Sequence, residues 1–558
     1  MKKITYILWV LVAVACSSCT DFFDSDSKSM IKTDGQMYQD ELETRSGLFG
    51  LLQGLQKIGD NYVLMGELRG DLMTTTDNSS QELRDINESN IESSNSYLQE
   101  REYYELLNNC NYYIQHLDTA VTKLENGVST KFMLPYMAQA KAIRAWTYLL
   151  LCLDYGKVNY TTQPILKSDE KATQVYTLDE LLPVLITDME GALKLLPKEA
   201  VGSTESAIGY SDPGFTNSVT YNSYMARQLM LPLHFVLGEL YLWKQDFAKA
   251  AEAYYYLIYN DQLKMCANRN TYSENGLTVA SKNWANQFSG FNYPEILTGI
   301  VFSTDHYQVT SQLYNMANKN YTIAPSSALI NTFDEQNYYT NRAISGDLRG
   351  LYGTYTLKSI AGQSGGMENV YITKYNSMKT GSNYYVAPCR SALIYLRYAE
   401  ALNRLGKCKF VFNGFLKYGL SAYNLNLYKD IIGNEMTGES WMNFGQDDPE
   451  GELASHFSAN IRGFHARGCG NTDMNDAYKL EAQANLSDSI EWVEEQLVNE
   501  YALETALEGN RFHDLMRISR YRNNPSYLAQ KVAAKFTGSK KIAVYTKLQD
   551  MSNWYLPE

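Results

Sequence analysis

Apolar residues recur every three to four positions in three separate stretches of the chain, and this spacing is typical of amphipathic helices. In residues 97–120 the apolar stripe runs through Tyr103, Leu106, Leu107, Cys110, Tyr113, Ile114 and Leu117. In residues 136–155 it runs through Ala140, Ile143, Trp146, Leu150 and Leu153. A third stripe occupies residues 178–196. The pattern predicts three helices, each with one face against a core.

A more specific pattern lies in residues 234–258, which read HFVLGELYLWKQDFAKAAEAYYYLI. The spacing L-G-x2-Y at 237–241, followed by A-x3-Y at 250–254, matches the tetratricopeptide pattern of two packed helices. The small Gly238 and Ala250 would let the helices approach closely. Because one pair cannot bury its own faces, we expect further pairs. The candidates are the three helices above and two further stretches, 390–406 and 490–520.

Two other stretches, 260–388 and 409–459, are rich in Asn, Ser, Thr, Gly and Tyr. We predict loops, turns and small strands there, including the runs EILTGIVFS and NVYITKY, and short helices such as 326–333. Loops on a rigid scaffold are where binding residues concentrate. The regions are therefore helices at about 40–260 and 390–520, an irregular half at about 260–390, and an insertion at 409–459.

The first residues have the pattern of an export signal. Residues 1–3 are positive, and residues 4–15 are almost wholly apolar but too short to cross a hydrocarbon core of about 30 Å. No other stretch approaches 18 consecutive apolar residues. The apolar run ends in small residues and two cysteines, as in a bacterial lipoprotein signal, where a cysteine becomes the lipid-bearing first residue.

Both Cys16 and Cys19 fit that role, and we favour Cys19. This choice predicts a signal peptide at 1–18 and a single domain at 19–558. The acyl chains would hold the protein on a membrane without a transmembrane helix. The alternative is an ordinary cleaved signal with incidental cysteines.

Composition narrows the classes of partner. The chain has 558 residues and a formal charge of −13, which becomes −15 once Lys2 and Lys3 leave with the signal. Such a charge disfavours nucleic acid as a partner. The other cysteines are scattered without C-x-x-C pairs, which argues against zinc and leaves one disulfide open. The chain contains 45 tyrosines. The amphipathic tyrosine ring suits hydroxylated ligands such as sugars, although we expect most of these tyrosines to pack helices.

Patterns that would indicate catalysis are weak. Six histidines are present without H-E-x-x-H spacing, and neither a P-loop nor a dinucleotide fingerprint occurs. Residues 362–366 fit G-x-S-x-G, but β-type runs flank them, so we predict a Gly-rich hairpin turn rather than a nucleophile elbow. Carboxylates are plentiful, so composition alone does not exclude the paired carboxylates of a glycosidase. We expect no enzyme activity and no cofactor or metal.

Two motifs carry a family resemblance: RSALIYLRYAEALNRLG at 390–406 and EYALETALEGNRFHDLMR at 500–517. They resemble R-Y-A-E-x-L…A-E-A-L-N-x-x-G and E-R-x-x-E-x-x-x-E-G-x-R-x-x-D-L-x-R of the SusD/RagB family of Bacteroidetes outer-membrane nutrient-binding lipoproteins. Other stretches match in the same order, including AKAIRAWTYLLLCLDYG, NYPEILTGIVFS and APSSALINTF. Tyr501 stands where the family usually has Arg, and the insertion at 409–459 is larger than expected.

The residues of these motifs indicate architecture rather than catalysis. Two apolar stripes fall out of step across Gly509, which predicts a kink or a helix break there. Acidic and basic residues from 504 to 514 recur at 3–4 spacing, so we predict that they pair along the helix, with a desolvated Arg511 held by two carboxylates. The predicted structural residues are Arg397, Glu400, Glu504, Glu508, Gly509, Arg511 and Asp514.

The resemblance implies a mainly α, SusD-like fold, in which four tetratricopeptide-like helix pairs pack against an irregular loop-rich half with a few short strands. It also implies a cell-surface, outer-membrane lipoprotein that captures oligo- or polysaccharide and delivers it to a SusC-like TonB-dependent transporter. A peptide-capturing member of the family and an assembly-only scaffold are the alternatives, and a hydrolase is the least favoured.

The family usually builds its binding site from the irregular half and from the loop before the second helix. That points to residues 74–96 and to aromatic residues around 284–321. The predicted aromatic contacts are Trp284, Tyr307, Tyr314 and Tyr321, with Trp441 of the insertion as a further one. The predicted polar contacts are Asp77, Asn78 and Arg84.

Overall fold

The structure is a computed structural model, and the part of the chain that it describes has several gaps. The described residues are 37–125, 127–167, 169–196, 226–260, 284–285, 287–289, 295–303, 310–339, 343–359, 368–380, 383–436, 439–444, 463–470 and 478–557. The predicted signal peptide and Cys19 lie outside them. Within them the protein is mainly α-helical.

Where the structure describes the first part of the chain, it has five helices, and local sequence sets their ends. They are α1 (Glu41–Leu68), α2 (Gln81–Asn87), α3 (Glu100–His116), α4 (Met133–Tyr155) and α5 (Leu178–Leu193). Asp40 caps α1 by accepting a hydrogen bond from the backbone N–H of Glu43, and Thr177 forms a capping box with Glu180 at α5. α4 ends at Gly156, whose φ of +80° favours glycine. Helices α3, α4 and α5 occupy the three stretches predicted from periodicity.

Helices α6 (Leu233–Trp243) and α7 (Phe247–Asn260) are the pair predicted from the tetratricopeptide spacing. A Cβ at Gly238 would lie 2.5 Å from the ring of Tyr254, so glycine is what allows this close approach. The Tyr254 hydroxyl then donates a hydrogen bond of 2.7 Å to Glu239, which removes the cost of burying a polar group. The predicted role of the small Gly238 is confirmed.

The remaining helices follow the irregular segment or lie within it. They are α8 (Ser327–Asp334), α9 (Thr373–Ser377), α10 (Ser391–Arg404), α11 (Cys408–Phe410), α12 (Ala422–Ile432), α13 (Phe464–Cys469), α14 (Leu486–Glu504), α15 (Arg511–Tyr521), α16 (Pro525–Ala533) and α17 (Gly538–Leu548). Helix α1 packs on α3, and each helix then contacts the next along α4, α5, α6, α7, α10 and α14. This succession of packed pairs forms the predicted scaffold, and α15 returns to contact α1.

Short antiparallel strands lie between the helices and are most frequent in the irregular half. They are β1 (Met73–Thr75), β2 (Lys123–Glu125), β3 (Val128–Thr130), β4 (Lys157–Tyr160), β5 (Gln174–Thr177), β6 (Ile296–Ser303), β7 (Ile323–Pro325), β8 (Asn337–Tyr339), β9 (Ala343–Ser345), β10 (Tyr355–Ser359), β11 (Glu368–Ile372), β12 (Lys379–Thr380) and β13 (Asn383–Arg390). Most form two-stranded pairs, and β12, β13 and β6 form a three-stranded sheet. Strands β10 and β11 pair on either side of the Gly-rich segment 362–366, which lies outside the described residues.

Two regions differ from the sequence prediction. We expected an irregular insertion at 409–459, but its described part holds helix α12 and a π-helix, Val411–Tyr418, because apolar residues on both elements join the core. We also placed the last helical region at about 390–520, whereas α16 and α17 continue the scaffold beyond it. None of the described helices is long and apolar enough to cross a membrane.

The charged residues of the second family motif are buried, but they bind partners on other elements. Glu504 contacts Arg349 at 2.9 Å and Arg390 at 3.0 Å. Glu508 contacts Lys374 at 2.8 Å and also binds Arg390. The prediction that these carboxylates pair along their own helix was therefore wrong for both. We call the network of these residues, together with Arg397, Glu400, Arg511, Asp514, Arg517 and Asp71, the buried charge network.

Arg511 is held by one carboxylate rather than two. Asp71 binds it through both oxygens, at 2.7 and 2.8 Å, and the Val498 carbonyl accepts a further hydrogen bond at 2.9 Å. This joins α15 to the segment that follows α1. Because Asp71 is distant in sequence, periodicity within the motif could not indicate it. The predicted structural role of Arg511 is nevertheless consistent with this geometry.

Further pairs link α10 to α15. Arg397 contacts Asp514 at 2.6 Å, and Arg517 binds both oxygens of Glu400 at 2.7 and 2.8 Å. Arg517 also contacts Asp514 at 3.0 Å along α15. The two family motifs thus meet in space, and they do so through charges that are almost fully buried.

The predicted helix break at Gly509 is confirmed, since α14 ends at Glu504 and α15 begins at Arg511. Gly509 has a φ of +102°, and a Cβ there would lie 2.7 Å from the Tyr62 ring. The carboxylate of Glu67 accepts backbone hydrogen bonds from Leu507, Gly509 and Asn510 at 2.7 to 3.2 Å. The break is therefore a fixed turn held against α1.

Candidate functional site

The turn after β1 is fastened to the segment that enters β7. Strands β1 and β7 pair antiparallel, and the Ser79 hydroxyl donates a hydrogen bond of 2.5 Å to the Thr322 carbonyl. The Asn78 side-chain amide donates to the Asn320 carbonyl at 3.2 Å. The Thr76 hydroxyl donates to the carbonyl of Tyr321. These bonds bring the predicted loop 74–96 against the predicted aromatic Tyr321.

Tyr321 has an uncommon backbone conformation and an ordered ring. Its φ of +49° lies in the left-handed region, which costs a non-glycine residue roughly 1–2 kcal/mol. Its ring packs on Tyr371 of β11 with centroids 4.5 Å apart and planes tilted by 33°. Partial burial raises the pKa of the Tyr321 hydroxyl, and the nearby Asp77 carboxylate raises it further. Strain of this kind concentrates at functional sites, so it directs attention to this position.

Tyr371 belongs to one face of the β10–β11 hairpin. Thr356 pairs with Tyr371 and Lys358 pairs with Asn369, so these four side chains lie on the same face. Lys358 reaches diagonally across, and its ammonium lies 4.2 Å from the centroid of the Tyr371 ring. Both rings are half-buried, whereas Lys358 is exposed. The hairpin therefore presents an aromatic ring and a cation next to Tyr321.

The three predicted polar residues lie at the edge of the same aromatic pair. Asp77 and Asn78 are exposed, and Arg84 of α2 donates a hydrogen bond of 2.9 Å to the Asp77 carbonyl. The Asp77 carboxylate is close enough to Tyr321 to influence its pKa. We call the group of Tyr321, Tyr371, Lys358, Asp77, Asn78, Arg84 and Asn320 the tyrosine cluster.

The tyrosine cluster combines ring faces with carboxylate, amide and cationic groups. Half-exposed tyrosine rings can stack on the apolar face of a sugar, and the surrounding donors and acceptors can bind its hydroxyls. Hydrogen bonds between the turn and the segment before β7 hold these groups in place before a ligand arrives. Among the described residues, no group of three His, Cys, Asp or Glu side chains could hold a metal ion.

The other predicted aromatic residues are not part of this cluster. Trp284 is fully buried, with Phe288 packed edge-on against its ring and the Arg467 guanidinium 4.6 Å from its centroid, so a ligand cannot reach it here. Trp441 is half-buried, and its carbonyl accepts a hydrogen bond from Tyr398 of α10. Tyr307 lies outside the described residues.

Tyr314 lies in the segment that leads to Tyr321. Its ring is half-buried, with the Lys379 ammonium 5.3 Å from its centroid. Asp60 of α1 anchors the start of this segment, since it accepts hydrogen bonds from the Ser311 hydroxyl at 2.6 Å and the Gln312 backbone N–H at 2.5 Å. Tyr314 therefore belongs to the segment that supports the aromatic pair.

Sequence reasoning missed Tyr371 and Lys358. The run NVYITKY was identified as β-type, and its alternation places Tyr371 and Asn369 on one face. Nothing in the sequence indicates that this face packs on Tyr321. Pairing β10 with β11 would have placed Lys358 near Tyr371. That pairing could be aligned only once the position of the turn between the strands was known.

A cavity of about 250 Å³ offers a different candidate site, between α3, α4 and the β4–β5 connection. Its polar groups are mostly engaged in fixing that connection. Asn108 binds the backbone of Ile165 through both side-chain atoms, and the Tyr148 hydroxyl binds the backbone of Thr161. The cavity therefore has fewer groups ready for a ligand than the tyrosine cluster has.

Comparison with known proteins supports the fold. No protein-family model matches the sequence, and no curated protein matches it. A SusD superfamily protein from Bacteroides vulgatus superposes with a TM-score of 0.58 at 15% identity, covering 91% of this chain and 93% of that chain. A SusD homolog from Bacteroides thetaiotaomicron gives 0.58 at 15% identity, covering 92% and 93%.

A third crystal structure, described as a SusD-like carbohydrate binding protein from Bacteroides vulgatus, gives a TM-score of 0.54 at 15% identity and covers 85% of this chain and 83% of that chain. These similarities extend over most of each chain, although the sequences have diverged widely. The fold of this chain is therefore the one shared by proteins of the SusD superfamily, as its sequence motifs indicated.

Proposed function

We propose that this protein is a glycan-binding lipoprotein of the SusD/RagB family, which captures oligo- or polysaccharide at the cell surface and passes it to a SusC-like TonB-dependent transporter. The observation that carries the proposal is the Tyr321–Tyr371 pair, flanked by polar side chains and held on a SusD-like scaffold. A structural neighbour described as a carbohydrate binding protein adds support. Binding, and no cleavage of bonds, is the proposed activity.

The proposed contact chemistry uses both parts of the tyrosine cluster. The apolar face of a pyranose would stack on an exposed ring face, while Asp77 and Asn78 bind its hydroxyls. A large ordering cost would weaken such a shallow site. The left-handed backbone of Tyr321 and the hydrogen bonds around it reduce this cost, because the ring is already positioned.

Lipid attachment at Cys19 is the proposed means of holding the protein on the outer membrane. Each buried CH₂ of an acyl chain contributes about 0.8 kcal/mol, so several chains give lasting attachment. Growing cells with an alkyne fatty acid would label the wild-type protein. C19S should abolish the label and release the protein from membranes, whereas labelling that survives C19S and disappears in C16S would assign the lipid to Cys16.

Glycan binding can be tested with the mature chain on a glycan array and by affinity electrophoresis. We expect retardation by at least one glycan without product release, and a loss of about tenfold or more in affinity for Y321A and Y371A. The matched control is Y176A, because Tyr176 is also half-buried and packs edge-on against another ring, Tyr160, on a different part of the scaffold. Equal loss of binding in all three variants would contradict the assigned site.

The same experiments separate the alternatives. Binding of peptides but no glycan would favour a peptide-capturing protein. Co-purification with a transporter barrel without any small ligand would favour an assembly scaffold. Release of product from a bound glycan would favour a hydrolase and overturn the proposal of binding alone.

A further inference from the structure

The cations of the tyrosine cluster differ from the buried arginines that hold the fold together. Among the described residues, no carboxylate lies within ion-pair distance of Lys358 or Arg84. Large buried cations such as Arg349, Arg390 and Arg517 each bind two or more carboxylates. Although the chain has a net charge of −13, two cations without carboxylate partners therefore lie at this one aromatic pair.

Lys358 occupies a position that affects what can stack on Tyr371. Its ammonium lies 4.2 Å from the ring centroid, which is within the range of a cation–π contact. A neutral sugar that stacks on this face must displace the ammonium and lose that contact. A sugar with a negative group can pair with the displaced ammonium and so regain the lost attraction, which a neutral sugar cannot do. Lys358 therefore favours an anionic ligand over a neutral one.

Arg84 supplies a second cation on the opposite part of the cluster. One of its terminal nitrogens donates to the Asp77 carbonyl, which orients the guanidinium and leaves other N–H groups for a ligand. The side chain of Lys319, next to Asn320, is also exposed. The carboxylate of Asp77 opposes an anion directly beside it, so the negative group of a ligand should lie nearer Lys358 than Asp77.

We propose that the tyrosine cluster selects anionic glycans, in which a carboxylate or sulfate group pairs with Lys358 while a sugar ring contacts the tyrosines. This inference rests on the proposed glycan-binding function and assigns the chemical class of the ligand. Lys358 is the specificity-determining residue, and Arg84 is the second cation that faces the ligand.

The test compares matched glycans by isothermal titration of the mature chain. One arm uses uronic-acid oligosaccharides and the same oligosaccharides after reduction of their carboxyl groups. The other arm uses sulfated oligosaccharides and their desulfated forms. We expect at least tenfold tighter binding of the anionic member of one arm, and a weakening of that binding as NaCl is raised. The arm that responds identifies the anionic group.

Variants then assign the preference to Lys358. K358Q should weaken binding of the anionic glycan by about five- to twentyfold and leave the neutral counterpart unchanged, and K358R should retain most of the preference. The control is K540Q, because Lys540 is a surface lysine already paired with Glu88.

An unchanged preference in K358Q, equal binding of the charged and neutral forms, or no binding of any anionic glycan would overturn this inference. The outcome is distinct from failure of the proposed function. If Y371A abolishes binding of a neutral glycan while K358Q has no effect, the glycan-binding function stands and the anionic selectivity does not.

Discussion

The buried charge network and the tyrosine cluster use similar residue types for opposite purposes. In the network, Arg349, Arg390, Arg397, Arg511 and Arg517 are almost fully buried, and each is bound to carboxylates. In the cluster, Lys358 and Arg84 retain exposure and have no carboxylate partner among the described residues. Paired charges hold the scaffold together, whereas the unpaired cations of the cluster are the groups that we propose for ligand binding.

Tyrosines show the same contrast. Tyr254 is fully buried, and its hydroxyl is committed to Glu239 between two packed helices. Tyr321 and Tyr371 contact each other, but each ring remains half-buried. Burial thus distinguishes a tyrosine that packs helices from the tyrosines of the proposed ligand surface.

The largest effect is expected in the network. R390M removes the cation that binds Glu504, Glu508 and Glu295, and leaves these buried carboxylates under-compensated. We expect a loss of about 3–5 kcal/mol in the free energy of unfolding, measured with urea. K540M, which breaks the surface pair with Glu88, should cost less than about 1 kcal/mol. Similar costs for both variants would contradict a structural role for burial.

The pH dependence of two buried glutamates should have opposite signs. Burial raises the pKa of Glu67 from 4.5 to about 7. Burial also disfavours the charged form of Glu504, but the charges of Arg467, Arg390 and Arg349 outweigh this effect and lower its pKa from 4.5 to about 2. Between pH 7 and 4.5 the folded state therefore holds a proton at Glu67 that the unfolded chain has lost, and below pH 4.5 the unfolded chain binds a proton that folded Glu504 resists.

Wild type should accordingly gain stability relative to E67Q as the pH falls from 7 to 4.5. It should lose stability relative to E504Q as the pH falls from 4.5 towards 2. Each change is at most about 3–4 kcal/mol, because each unit of pKa shift corresponds to about 1.36 kcal/mol. Urea unfolding at a series of pH values measures how each stability difference changes with pH. Changes of the same sign would show that the two carboxylates lie in similar environments.

The turn between α14 and α15 should depend on glycine for two separable reasons. G509A adds a Cβ 2.7 Å from the Tyr62 ring at a φ of +102°, whereas G346A has a φ of +99° with no atom within 4 Å of the added Cβ. We expect about 1 kcal/mol for G346A from the left-handed backbone alone and about 2 kcal/mol or more for G509A. Equal losses of stability for the two variants, in thermal or urea unfolding, would show that the clash with Tyr62 contributes nothing.

The smallest effect on stability is expected at the cluster. Y321G relieves the left-handed strain of a tyrosine, but it increases the freedom of the unfolded chain and removes the half-buried ring that packs on Tyr371; each effect is on the order of 1 kcal/mol. The free energy of unfolding should therefore fall by only about 1 kcal/mol while glycan affinity falls. A loss above about 3 kcal/mol would make Tyr321 part of the core.

The helical frame was the most predictable part, because its signals are local. Periodicity located α3, α4 and α5, and the tetratricopeptide spacing located α6 and α7. The break at Gly509 also followed from two apolar stripes that are out of step. The partner of Arg511 could not be predicted, since Asp71 is brought to it only by the packing of α15 on the end of α1.

The candidate site was predictable only in part, because non-local strand pairing assembles it. Asp77, Asn78 and Arg84 meet Tyr321 because β1 pairs with β7, a contact that no local pattern encodes. Trp284 was selected as an aromatic in the irregular half, but Phe288 and Arg467 enclose it. Tyr371 could not be predicted from the sequence, because the sequence does not show which face of the β10–β11 hairpin packs on Tyr321.

The most direct measurement is a crystal structure of the mature chain with the glycan that binds most tightly on the array. We predict a sugar ring in van der Waals contact with Tyr321 or Tyr371, with hydroxyls or an anionic group within hydrogen-bond distance of Asp77, Asn78 or Lys358. A glycan bound instead in the cavity beside Tyr104 and Tyr148, with the tyrosine cluster empty, would contradict the account.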